Sequence, residues 1–133
     1  MEQIFFENRS RFGFEETVDR LSEIIVEGGW RVLHIHDLQE TMRKNGKDVV
    51  PVKVIELCKP DHAYRLLSDD HLRLYSNMMP CRIAVYEKDD GGTYVSRMNP
   101  AIPASHIGGP VLDVMSGAYS DAEKFVEKIV KEQ

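Results

Sequence analysis

The stretch from Val52 to Glu87 constrains the fold of this chain more than any other. Two β-prone runs, Val52–Leu57 and Cys81–Glu87, flank a segment that begins as a helix, and each borders or contains one of the chain's two cysteines. Pro60, just past Cys58, suits the first turn of a helix, where its missing N–H costs nothing. Ala63, Leu66 and Leu67 give that helix an apolar side, and Ser68-Asp69-Asp70 ends it. His71–Met79 is less regular, a single helical or 3-10 turn. Pro80 disfavours helix at Met79 and so delivers an extended chain into the second run. The direction of the two strands decides where the cysteines lie. A single crossover through residues 60–79 would make them parallel, with Cys58 and Cys81 at opposite ends. A chain that doubles back would make them antiparallel, with both cysteines at one end.

The flanking segments read as packing for this unit. Ile4-Phe5-Phe6 is a short strand, ended by Asn8-Arg9-Ser10. Gly13 caps a helix with Glu15 and Glu16 in its first turn, where the helix dipole favours negative charge. Phe14, Val18, Leu21 and Ile25 recur at helical spacing on one stripe. Gly28-Gly29 stops that helix through a left-handed glycine. Trp30–Asp37 is a strand, and Leu38–Asn45 is a two-turn helix with Asp37 as cap and Gly46 as stop. Lys88–Gly92 has hairpin chemistry and leads into a last strand, Thr93–Met98. Asn99-Pro100 breaks the sheet, and Ala101–Gly109 reads as a loop. Pro110–Ser116 is a short helix ended by Gly117. Ser120-Asp121-Ala122-Glu123 is a capping box for a final helix carrying Ala122, Phe125, Val126, Ile129 and Val130 on one face.

The order is therefore β-α-β-(α)-β-α-β-β-α in one domain spanning residues 1–133. It describes an α+β fold, a single mixed or mostly antiparallel sheet of about five strands with helices packed mainly on one face. One pattern resists that frame. Val52, Val54, Ile55, Leu57 and Ile83, Ala84, Val85 place apolar residues on both parities, whereas a sheet with one wet face alternates cleanly. Either helices cross to the second face or a second subunit covers it, and a symmetric homodimer is the favoured expectation.

Composition removes several function classes. The net charge is −5, from 22 acidic and 17 basic side chains, without a basic stripe, so a phosphate backbone is a poor partner and nucleic-acid binding is not expected. No apolar run approaches a membrane span and no signal peptide opens the chain, so a cytoplasmic location is expected. In that compartment the two cysteines are expected to be reduced, and their spacing is not that of a zinc ribbon or a redox pair.

Around the central unit a family pattern emerges. Phe14-Glu15-Glu16-Thr17 with Leu21, Gly29-Trp30-Arg31-Val32, Ile55-Glu56-Leu57-Cys58-Lys59-Pro60 with Ala63, and Met79-Pro80-Cys81-Arg82-Ile83-Ala84-Val85-Tyr86-Glu87 resemble the domain-of-unknown-function 302 family. The resemblance covers roughly residues 4–100. It implies a compact, dimeric α+β fold of small bacterial and archaeal proteins, and it carries over no activity and no catalytic residue. His106-Ile107-Gly108-Gly109-Pro110 departs from it and reads as an added loop.

The candidate chemistry centres on sulfur and imidazole. Cys58, His62 and Cys81 form a candidate ligand site, since Cys58 and His62 are four apart across a helix start, where the dipole favours a thiolate. With His34 and His36, two apart on one strand face, they make a candidate metal set of His34, His36, Cys58, His62 and Cys81, the right ligand types for zinc, iron or copper. The competing reading makes both cysteines small buried apolar residues. Gly108-Gly109-Pro110 lacks the Lys and Ser or Thr of a P-loop. Met78 and Met79, with Tyr75 and Tyr86, are read as gap-filling core rather than as a pocket. No Ser/His/Asp order is recognisable, and no cofactor is named by the sequence. The reading favoured is a dimeric binding or sensing module for a small ligand or a metal. The alternative is an interaction module without a ligand, and a thiol-dependent enzyme is the weakest option.

Overall fold

The computed structural model describes residues 3–130. Five strands, β1 (Phe5–Arg9), β2 (Arg31–Asp37), β3 (Val52–Cys58), β4 (Cys81–Glu87) and β5 (Thr93–Met98), form one sheet in the order β1-β5-β4-β3-β2. Every neighbouring pair is antiparallel. The helices are α1 (Phe14–Glu27), α2 (Leu38–Lys44), α3 (Pro60–Leu67), α4 (Ala101–Ala104) and α5 (Gly109–Glu127), with a 3-10 helix at Arg73–Met78. The expected α+β sheet is therefore present, and β3 and β4 run antiparallel because α3 and the 3-10 helix carry the chain out and back.

Local chemistry places several boundaries where expected. Gly29 takes φ +86°, which only glycine adopts cheaply, and turns the chain from α1 into β2. Asp37 caps α2 by accepting the Glu40 N–H at 3.0 Å. Three expectations fail. β1 runs on through Asn8 and Arg9, because an edge strand tolerates polar residues and Asn8 accepts a 2.6 Å hydrogen bond from Arg97. The C-terminal region holds one 19-residue helix, α5, where a short helix, a stop at Gly117 and a capping box at Ser120 were expected. Asp121 and Glu123 do not cap; their carboxylates meet Trp30 and Arg97. Gly117 stays helical and brings α5 close to His62, whose ring would lie 3.5 Å from an added Cβ. Ala101–Gly109, expected as loop, contains the one-turn α4.

Register sorts the sheet into two unlike faces. Ile35, Ile55, Ile83, Arg97 and Phe6 stand opposite one another across all five strands, with Val85 and Val95 one row along. This face joins Val18, Leu21 and Ile25 of α1 and Ala118, Phe125 and Val126 of α5 in the main core. A smaller cluster lies under α3 and α4, formed by Leu66, Ala104, Val111, Val114 and Met115. The opposite face carries the rows His36–Val54–Ala84–Ser96–Glu7 and Val52–Tyr86–Tyr94–Arg9, and none of these residues is buried. α2 buries no residue of its own. Apolar residues on both parities thus mark one covered face and one open face. Among the described residues no helix is long and apolar enough to cross a membrane.

Candidate functional site

The sheet comes apart at one end, between its two central strands. The β4–β5 ladder stops at Ile83 and Arg97. Beyond that row Arg82 pairs with Glu56 of β3, and Met98 pairs with Phe5 of β1. Prolines sit at this end of both strands. Pro80 precedes β4 after an extended Met79, and Pro100 follows β5; neither has an N–H for a ladder. A cavity of about 400 Å³ occupies the gap. Its wall draws on both faces: Phe5, Val54, Ala84 and Ser96 from the open side, and Ile83, Arg97 and three residues of α5 from the core side. The lining is mainly apolar with a few polar groups, and the volume lies within the range of about 300–1,000 Å³ typical of small-molecule sites.

Two arginines reach this cavity, and among the described residues no carboxylate lines it. They differ sharply. Arg97 is nearly buried and fully engaged. Its Nε and Nη2 donate to the two Glu123 oxygens at 2.7 and 2.9 Å, and its Nη1 donates to Asn8. Burial works to raise the Glu123 carboxyl, but hydrogen bonds from Arg97 and Tyr119 outweigh it and hold the group below its ordinary value. The Tyr119 phenol, on the cavity wall, is pushed up to about 12 by burial, with Glu123 adding to the effect. Arg82 is largely exposed, and among the described residues its one acidic contact is Glu56 at 3.5 Å.

The residues singled out by sequence fall into two groups. Cys58, His62 and Cys81 do come together, because antiparallel β3 and β4 put both cysteines at one end of the sheet. They line an adjoining pocket of about 30 Å³ with Trp30, Met79 and Pro80, and Cys81 lines the large cavity as well. That is room for a water or two, not for a ligand. The His62 ring lies edge-on to Trp30, with 6.0 Å between centroids, and its Nε2 is 3.8 Å from Asp121. Trp30 Nε1–H donates to the same carboxylate at 3.1 Å. His34 and His36 stand on the open face instead. Their rings are 4.4 Å apart, and His36 Nε2 is bonded to Glu56 at 2.6 Å. The five proposed metal ligands are thus split, and among the described residues no three His, Cys, Asp or Glu side chains gather as an ion site.

The expected thiolate at a helix start is also corrected. Burial pushes the Cys58 thiol up, and pushes Cys81 to about 11 with neighbouring Cys58 adding to it. Desolvation is the leading influence at both cysteines, and it favours the thiol over the thiolate. Both thiols are free. Met78, read as core filler, packs in the smaller core and also lines the large cavity. Sequence reasoning missed Arg82, Ala84, Ser96 and Met98 as cavity residues. The signal for them was the pair of prolines, which marks where neighbouring strands lose their ladder.

A further depression of about 420 Å³ lies at the opposite end of the sheet, between Arg9–Gly13 and Gly91–Thr93. Its lining is more polar, and its arginines are directed elsewhere: Arg9 lies near Asp90, and Arg11 donates to the Lys128 carbonyl.

Fold and cavity together define a small α+β protein with one open sheet face and a ligand-sized gap between its central strands. The chain belongs to the family described as domain of unknown function DUF302, whose model matches residues 6–132. That match runs well past residue 100, so the C-terminal segment is part of the family unit and not an addition to it. The chain is similar to the crystal structure of an uncharacterized conserved DUF302 protein from Bacillus stearothermophilus. The identity is 22%, the TM-score is 0.84, and the match covers 96% of this chain and 98% of the other. At that identity the likeness establishes the fold. No curated protein gives a significant match.

Proposed function

We propose that this protein is a homodimeric binding module for a small, mainly apolar ligand. The observation that carries the reading is the cavity of about 400 Å³ in the gap between β4 and β5. A sheet closes such gaps unless something holds them open, and here the two prolines deprive both strand ends of ladder donors. The dimer rests on the open face, where Val52, Val54 and Ala84 stay half-exposed and Phe5 is 66% exposed at the cavity mouth. An isologous contact between two such faces would cover these residues. Thiol catalysis is disfavoured by the raised Cys58 and Cys81 pKa values, since the thiolate is the nucleophile.

The test uses a neutral fluorescent probe, N-phenyl-1-naphthylamine. Saturable emission enhancement in the wild type that is lost in a folded Ala84→Phe variant is the expected result. Enhancement that is absent, or unaffected by filling the cavity, contradicts the reading. Light scattering checks the second part, and a mass equal to one chain removes the dimer.

A further inference from the structure

We infer that the ligand of this cavity is an amphiphilic monoanion, a small aromatic or branched aliphatic carboxylate, with Arg82 as its charge partner. The inference rests on the cavity being a binding site and adds the chemical class of what it binds.

The protein is acidic overall, with a net charge of −5, yet the cavity wall holds two guanidinium groups and no carboxylate. A cationic ligand would enter a positively lined, partly desolvated gap without a counter-charge, which is costly. An anion finds the opposite situation. Arg97 is the poorer partner for it, because its charge is already paired with Glu123 and each of its three nitrogens already donates one bond, to Glu123 or Asn8. Arg82 is the better one. Its Nε approaches Glu56 at 3.5 Å, longer than a good charge-assisted bond, and that carboxylate is already bonded to His36 at 2.6 Å. Among the described residues the terminal Arg82 nitrogens have no hydrogen-bond partner, and as a pair they can grip a carboxylate end-on.

The rest of the lining sets the body of the ligand. Phe5, Met78, Ile83 and Met98 supply apolar surface, and methionine adapts to ring or branched shapes. Ser96, Asn77 and Tyr119 add hydroxyl and amide groups to the lining, and the Tyr119 hydroxyl is already bonded to Glu123. This is too few donors for a phosphoryl group, and no lysine or glycine-rich loop lines the cavity.

Two probes with one ring system separate the possibilities: 1-anilinonaphthalene-8-sulfonate, an apolar anion, and neutral N-phenyl-1-naphthylamine. Arg82 is largely exposed, so its contribution is discounted toward the low end for a charge-assisted bond, and the wild type is expected to favour the anion roughly tenfold. In Arg82→Met the ratio of the two affinities falls toward one. In Arg82→Lys, which keeps the charge and loses the fork, part of the preference survives. Equal affinities in the wild type, or a preference that Arg82→Met leaves intact, overturn the anion assignment while the cavity stands as a binding site. Binding of neither probe overturns both.

Discussion

Replacing Arg97 by methionine tests a nearly buried ion pair. The side chain is 9% exposed and makes three short hydrogen bonds, two to Glu123 of α5 and one to Asn8 of β1. It therefore ties the long C-terminal helix to the sheet edge, and it is what leaves Arg82 as the available cation. Removing one member of a buried pair typically costs about 3–5 kcal/mol, because the other charge is stranded. Glu123 retains some hydration, with 23% of its side chain exposed, so the expected loss is about 2–4 kcal/mol. Chemical denaturation measures it, as a lower midpoint with an unchanged slope. A double-mutant cycle with Glu123→Gln is expected to give a coupling of about 1.5 kcal/mol or more. The pH dependence has a definite sign. The folded pKa of Glu123 is depressed, so its contribution is present above the unfolded value and is lost as pH falls through the folded one. Without Arg97 burial remains as the opposing influence, so this acid-side loss shrinks in Arg97→Met. A cost under about 1 kcal/mol, or an acid-side loss identical to that of the wild type, refutes the argument.

Two further predictions concern the ends of the core. In an Ellman titration at pH 8, both thiols are expected to react more slowly than a free cysteine, with Cys81 far behind Cys58. A thiol with a pKa of about 11 is ionised to only about one part in a thousand at that pH, and a native-state burst of two equivalents would contradict the assignment. Gly28→Ala places a Cβ 2.4 and 2.8 Å from two ring atoms of Phe125, so it is expected to destabilise by about 1–3 kcal/mol. Gly13→Ala meets nothing within 4 Å and serves as the control in the same thermal-melt comparison. If the two variants melt together, the contact at Phe125 is not a tight one.

What the sequence revealed followed from local rules. α1 reads out of its apolar spacing and its glycine stop, and β4 and β5 read out of Pro80, the Gly91-Gly92 turn and Asn99-Pro100, because each signal lies within a few residues of what it controls. α5 was misread for the opposite reason. Gly117 and Ser120-Asp121-Ala122-Glu123 look like punctuation, but their roles are set by distant partners: the His62 ring, the Trp30 indole and the Arg97 guanidinium. Apolar residues on both parities of β3 and β4 led to the expectation that helices or a second subunit cover the second face, and within the chain the residues of that face are not buried. The cysteine-centred site was legible as a meeting of Cys58, His62 and Cys81, yet its volume was not. Of the large cavity the sequence offered only Cys81, as a candidate ligand residue, and Met78; the rest depends on which strands neighbour β4 and β5 and on where their shared ladder ends.

The central claim is that the gap between β4 and β5 binds a small apolar molecule. The direct measurement is an amide and methyl chemical-shift titration of the isotope-labelled protein with N-phenyl-1-naphthylamine. The account predicts saturable shifts concentrated at Ala84, Ser96, Met98 and Tyr119, on both sides of the breach in the sheet. Shifts confined to Arg9–Gly13 and Gly91–Thr93, or no saturable shifts, would contradict it.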